Sequence, residues 1–143
     1  MTWEKSCGAV VFTCEDGQIK YLLVQSLEGV YGFPKGHVEP GETEPETALR
    51  EVLEETHLHI TLLDGFRTVT EYALPKKTNT MKQVIYFLGE YQDQEVIHQK
   101  EELIGACLAT YDDAIKLLRF EESKRILTQA NSFLLHQASE EIE

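Results

Sequence analysis

Gly36-His37-Val38-Glu39-Pro40-Gly41-Glu42-Thr43-Glu44-Pro45-Glu46-Thr47-Ala48-Leu49-Arg50-Glu51-Val52-Leu53-Glu54-Glu55-Thr56-His57-Leu58 is the stretch on which the reading of this chain turns. Residues 44–57 read as a helix. Thr43 stands at the N-cap, Pro45 suits the first turn, and Glu46 completes a capping box. At 100° per residue Ala48, Leu49, Val52 and Leu53 share one side, the expected core face. Glu51, Glu54 and Glu55 are spaced i, i+3 and i+4, so they gather on another side. Like charges at this spacing cost a helix roughly 0.2–0.5 kcal/mol per pair. Water and salt offset that on an ordinary solvated acidic face, the default in an acidic chain. A hard divalent cation would offset it too, because Mg²⁺ takes oxygen ligands and keeps several waters beside one or two carboxylates.

Outward from this helix the pattern is strands, then helix, then strands, then helices. Residues 6–14 (SCGAVVFTC) read as a buried strand, Glu15–Gln18 as a turn and residues 19–26 (IKYLLVQS) as the partner of a hairpin. Gly29, Gly32, Pro34, Gly36, Pro40 and Gly41 make residues 28–42 a long irregular loop, of the kind that carries function in compact domains. Residues 58–72 and 83–91 read as two further strands, joined through the turn at 74–80. Thr110 and Asp113 open a short helix through Leu118, and residues 121–137 form a last amphipathic helix. The acidic tail Ser139–Glu143 is expected to fray. The class is α/β or α+β: a mixed β-sheet sandwiched between helices in a single domain over 1–143.

Composition bounds the function. The chain has 143 residues, 42% of them hydrophobic and 27% charged, and a formal net charge of −12. That length builds a core without staples. The charge repels long nucleic acids and anionic membranes. A phosphate-bearing ligand would be repelled as well, unless metal cations or placed Lys and Arg residues intervene. No run of about 18 apolar residues marks a membrane span, and residues 1–6 lack the pattern of a secretory signal, so a cytoplasmic protein is expected. Cys7, Cys14 and Cys107 are odd in number and without Cys-x-x-Cys spacing. They read as small buried apolar residues.

The helix and its loop together resemble the Nudix box. That pattern runs Gly, five residues, Glu, seven residues, Arg-Glu, an apolar residue, any residue, Glu-Glu, any residue, Gly and an apolar residue. Gly36, Glu42, Arg50, Glu51, Glu54 and Glu55 match its fixed positions, and Val52 and Leu58 its apolar ones. The closing glycine is His57 here. A helix commonly ends in a left-handed residue at that point, which His enters more readily than most side chains. The expected cost is local strain without loss of a ligand. The resemblance implies that Glu51, Glu54 and Glu55 face a Mg²⁺ ion (Mn²⁺ as a substitute), with Glu51 and Glu55 as direct ligands and the Gly36 carbonyl adding an oxygen. It implies that Arg50 orients these acids by ion pairing and that Glu42 anchors the loop. Glu102 would be a further metal ligand or the general base, with Glu54 as the rival base.

Beyond the box, Phe33–Glu42, Cys7–Phe12, Gly65-Phe66 with Tyr72, Val84–Phe87 and the stretch around Phe120 and Phe133 are similar to the asymmetric diadenosine tetraphosphate hydrolases. That likeness runs from about residue 6 to 135. It implies that Lys35 and His37 touch phosphate, that Lys82 holds the polyphosphate and that Tyr72 and Phe120 sandwich adenine. Lys76, Lys77 and Lys82 form a local basic cluster suited to such a ligand. The implied reaction is in-line attack of water on one phosphorus beside the metal, giving ATP and AMP from a small nucleotide substrate. Two alternatives stay open: pyrophosphohydrolysis of a (d)NTP or of the 5′ end of RNA, and a Nudix-fold sensor that binds a nucleotide without cutting it. The sequence leaves the oligomeric state open.

Overall fold

A computed structural model describes residues 1–142, with side chains through Ala138. Its elements are β1 (Thr2–Glu15), β2 (Gln18–Ser26), β3 (Tyr31–Gly32), β4 (Lys35–His37), α1 (Glu44–Thr56), β5 (Thr61–Leu62), β6 (Thr68–Ala73), β7 (Thr80–Glu90), β8 (Leu103–Ala109), α2 (Tyr111–Leu117) and α3 (Glu121–Ile142). β1 is the spine of an eight-stranded mixed sheet. One edge runs parallel to β7 from the pair Thr2–Thr80 to the pair Phe12–Glu90. The other edge is shared, β4 taking its first half and β2 its second, both antiparallel. β7 is shared in the same way, between β6 and β5. β8 extends the sheet beyond β2, and β3 pairs with the later half of β2 on the edge whose first half takes β1.

Alternation along β1 divides the core between the two faces. Cys7, Ala9 and Val11 face α1, where Ala48 and Val52 are fully buried. Val10 and Phe12 face the other way, among Leu88, Leu118, Ile126, Leu127 and Ala130 beneath α2 and α3. Each fully buried Val or Leu contributes about 1.5–3 kcal/mol. The result is the expected mixed sheet between helices.

Several expectations need correction. The helical stripe that meets the sheet is Thr47, Ala48, Val52, Glu55 and Thr56. Leu49 and Leu53 lie on its flank at 39% and 38% exposure. The helix is rolled so that Glu55 points inward at the cost of two leucines. Residues 58–72 are two strands, broken by the turn at Asp64-Gly65, where Gly65 has φ +91°. Leu103–Ala109 is a strand, β8, that the expected order of elements lacks. β1 and β7 begin earlier than expected because the polar run Thr2–Ser6 pairs with Thr80–Val84. Cys7 is buried, but Cys14, next to the end of β1, is exposed and Cys107 half-buried. α3 continues past residue 137. The side chains from Ser139 onward and all of Glu143 fall outside the described residues, and the expected fraying with them. No helix among the described residues is long and apolar enough to cross a membrane.

Candidate functional site

α1 begins and ends as its sequence dictates. Glu46 N–H donates to Thr43 Oγ1 at 3.3 Å and Thr43 N–H to Glu46 Oε1 at 2.8 Å, closing the capping box. His57 ends the helix in the left-handed region, φ 62° and ψ 18°, its N–H donating to Leu53 O at 2.9 Å. The polar flank between these caps is locked by Arg50. Its Nε and Nη2 donate to the two carboxylate oxygens of Glu42 at 2.6 and 3.0 Å. Nη1 reaches Glu51 at 2.9 Å and Glu54 at 3.1 Å, and Nη2 also donates to the His37 carbonyl at 2.9 Å. Glu42 takes two more donors, Glu39 N–H at 2.9 Å and Thr47 Oγ1 at 2.8 Å. These bonds, Arg50 foremost, hold its pKa down at about 2. One guanidinium thus ties the loop to the helix and fixes Glu51 and Glu54 in place.

Gly36 explains how the loop comes so close. A Cβ at this position would lie 2.0–2.3 Å from the carboxyl atoms of Glu51, so a side chain here would displace that carboxylate from its place beneath β4. Gly8 plays the matching part on β1, where a Cβ would meet Pro34 O at 2.1 Å. Burial raises the pKa of Glu51 above the ordinary carboxylate range, against the pull of Arg50.

Glu55 is the most perturbed acid of the group. Burial, then the charge of Glu51, push its pKa up to about 8, opposed by the Lys35 backbone N–H that donates to it and by the Lys35 ammonium. Its Oε2 is buried with no hydrogen-bond partner among the described residues. Glu102 adds to the negative field at both Glu51 and Glu55. It is brought there by residues 97–99, which dock on the last turn of α1 through Ile97 N–H to Thr56 O at 3.0 Å and Gln99 N–H to Glu55 O at 2.9 Å. Among the described residues no three carboxylate, imidazole or thiol groups converge into a closed metal cage. Glu54 is engaged by Arg50 instead. The donor set still fits a hard divalent cation. It offers an oxygen-only group of neighbouring carboxylates, one of them buried and unsatisfied, and Mg²⁺ fills most of its sphere with water and phosphate.

Glu55 and Glu102 open onto a cleft of about 750 Å³, together with Lys35, Tyr72 and Phe120. Tyr72 is 42% and Phe120 55% exposed, unusual for large aromatics. Their position follows from how α3 docks on β6. Thr68 Oγ1 donates to Gln129 at 2.7 Å and Thr70 Oγ1 to Glu122 at 2.8 Å. Tyr72 is next on that face of the strand, level with the start of α3, where Phe120 stands. Tyr72 also pairs with Lys82 across β6 and β7. Lys82 is buried, its Nζ 3.0 Å from His37 Nε2, which lies 3.3 Å from Glu4 Oε1. Burial lowers its pKa, and Lys35 nearby adds to this. Lys77 pairs with Glu4. The lysine tip is therefore engaged with His37, near the cleft that Lys35 lines. Sequence reasoning did not find Thr70 or Glu122. Their only sequence signal is a threonine two positions before Tyr72 and an acid two after Phe120.

The family model described as the NUDIX domain matches residues 4–130. The chain belongs to the NUDIX family. It is 37% identical over 142 residues to the bis(5′-nucleosyl)-tetraphosphatase [asymmetrical] of Rattus norvegicus, covering 91% of this chain and 95% of that one. It superposes on the crystal structure of a C. elegans Ap4A hydrolase binary complex with TM-score 0.84 and 28% identity, over 93% of this chain and 98% of the other. The NUDIX domain of Shewanella oneidensis NrtR complexed with ADP ribose shares the fold alone, at TM-score 0.75 and 19% identity. The protein is thus a Nudix hydrolase, of a family whose members generally use divalent metal ions.

Proposed function

We propose that this Nudix hydrolase cuts diadenosine tetraphosphate to ATP and AMP with Mg²⁺, in the cytoplasm, as a single domain over residues 1–143. The observation that carries the reading is that Glu55, a buried acid with one unpartnered oxygen, lines the same cleft as Lys35, Tyr72 and Phe120. Acid chemistry, phosphate charge and an exposed aromatic pair thus share one cavity, as a ligand with both a polyphosphate and a base requires. The rat and nematode relatives support the choice of substrate.

Glu51 and Glu55 would hold the cation, with the Gly36 carbonyl, Glu54 and Glu102 as its further donors. When bound, such an ion lowers the pKa of the attacking water and neutralises charge on the leaving polyphosphate. Arg50 keeps Glu51 oriented and Glu42 holds Arg50. Glu102, on the cleft wall, takes the proton of the attacking water, and Glu54 is the alternative acceptor. Lys35, backed by His37 and Lys82, draws the phosphate chain into a protein of net charge −12. Tyr72 and Phe120 hold a base between them. The same charge disfavours long nucleic acid as a substrate.

Product chromatography on a panel of dinucleoside polyphosphates and nucleoside triphosphates, with Mg²⁺ and with a chelator, tests this. ATP plus AMP from diadenosine tetraphosphate, abolished by the chelator, supports the reading. Pyrophosphate release from a triphosphate as the dominant reaction would replace it. Binding without products would identify a sensor.

A further inference from the structure

Residues 91–102 join β7 to β8 and end on Glu102. They form neither helix nor strand, so their course is set by what they bond to. The strap is pinned at its start, where Thr13 Oγ1 donates to the Tyr91 carbonyl at 2.7 Å. It then crosses the C-terminal end of α1 on three rungs. The Gln94 amide brackets the backbone of His59, whose N–H donates to Gln94 Oε1 and whose carbonyl accepts from Gln94 Nε2, both at 2.8 Å. Ile97 N–H donates to Thr56 O at 3.0 Å, and Gln99 N–H to Glu55 O at 2.9 Å. The partners run backward through 59, 56 and 55 as the strap runs forward through 94, 97 and 99. The rungs therefore form one antiparallel zip that ends on a metal-facing glutamate, three residues before Glu102.

The first rung differs from the other two. Those are single bonds to carbonyls at the end of a helix, which water also satisfies. The Gln94 bracket has two bonds and so fixes an orientation as well as a distance. Among the described residues no other side chain from 92 to 102 makes a hydrogen bond or ion pair, and Gln99 Oε1 is buried without a partner. Packing does not replace the bracket. Gln92 and Asp93 are exposed. A cavity of about 640 Å³ opens beside this part of the strap, lined by Gln92, Asp93 and Gln94 and by Ala106 and Leu108 of β8.

We propose that Gln94 is a positioning residue for hydrolysis: its bracket on His59 sets the register of the strap on α1, and through it the place of Glu102 beside Glu51 and Glu55. This rests on the reading of Glu102 as metal donor or proton acceptor. Glu102 has no bond of its own to hold it among the described residues, yet its charge is felt at both other acids. Its place is therefore inherited from the strap. Loss of the bracket opens the zip at its first rung and lets Glu102 shift. A small misplacement of a reacting group costs rate out of proportion to stability.

The test is a double-mutant cycle between Gln94→Ala and Glu102→Gln, read as kcat and KM for diadenosine tetraphosphate with Mg²⁺ at a temperature where every variant is folded. Gln94→Ala is expected to lower kcat about tenfold with KM held within about twofold. In the Glu102→Gln background the same change should cost less than about twofold, because the group it positions is gone. Tyr111→Phe, which removes the bond between Tyr111 and Thr128 on the helices, is the control: it lowers the melting temperature and leaves kcat unchanged. Gln94→Glu keeps the side-chain length and the bond from His59 N–H, so it should restore part of kcat. It carries the cycle if Gln94→Ala does not fold. Unchanged kcat in the folded variant overturns the proposal. An equal loss in both backgrounds also overturns it, since Gln94 would then act on the fold alone. Wild-type turnover by Glu102→Gln would remove Glu102 from the reaction and the proposal with it. Failure of the wild type to release ATP and AMP would sink the substrate reading only, and the cycle is then read on the nucleotide that is cut.

Discussion

Two working regions meet at β4 and are built in opposite ways. On the α1 side, Gly36 presses on Glu51 and one arginine binds Glu42, Glu51, Glu54 and the His37 carbonyl. Every part comes from 23 consecutive residues, and little in it can move. On the α3 side, the cleft takes Lys35 from β4, Tyr72 from β6, Glu102 from before β8 and Phe120 from before α3. Its aromatics are exposed. The acid region is a rigid device for charge, and the cleft is an open surface for recognition. The first should fail in kcat when damaged and the second in KM.

The sharpest break of that division is Glu55→Gln, which keeps the shape and removes the charge. Turnover should fall by about 10³-fold or more, with the fold retained by circular dichroism; activity near wild type would remove Glu55 from the site. Next is Arg50→Lys. A lysine keeps the charge but lacks the planar fork, so kcat should drop about 10–100-fold and Mn²⁺ affinity, read by titration calorimetry, should weaken with it. On the cleft side, Tyr72→Ala and Phe120→Ala should each raise KM about tenfold and leave kcat within about twofold. A kcat effect there as large as that of Arg50→Lys would erase the contrast between the regions.

The pH response separates the regions more finely. Glu55 has its folded pKa raised from 4.5 to about 8. It therefore contributes stability that is fully present below pH 4.5 and lost as pH rises to about 8. In chelator, the melting temperature of the wild type should fall by about 5 °C or more between pH 5 and 8, and Glu55→Gln should flatten that slope. Glu42 and Glu44, the latter held at about 2 by Arg67, have the opposite sign. Their stabilisation is present above pH 4.5 and lost on acidification toward 2. The smallest expected effect is that of His57→Gly, which relieves the left-handed strain and gains about 0.5–1 kcal/mol in denaturant titration without changing turnover.

The same contrast decides what the sequence reveals. The acid region is legible because helix periodicity and capping act over four residues. Glu46 could be placed from its neighbours, and Arg50 and His57 from the resemblance to the box; the structure caps the helix with Glu46, pairs Arg50 with the acids and ends the helix at His57. The roll of α1 was not legible. A helical wheel ranks Leu49 and Leu53 above Glu55 for burial, and only the docking surface of Cys7 and Ala9 on β1 turns the glutamate inward. The cleft was half legible. Tyr72, Lys82 and Phe120 came from likeness to relatives, while the bond from Thr70 to Glu122 joins residues 52 positions apart, for which no local pattern exists. β8 was missed for the same reason, since it becomes a strand only by pairing with β2.

The parallel ladder between β1 and β7 also sets a clock for biosynthesis. β1 is made before its longest partner, and finds it only once Thr80–Glu90 has been made. At about 5–20 residues per second, β1 waits roughly 4 seconds or more with that edge bare. During this interval the nascent chain shows Ala9-Val10-Val11-Phe12 to any passing chaperone or fellow polypeptide. Escape from aggregation thus depends on how quickly β2 folds back as a hairpin to shield the opposite edge.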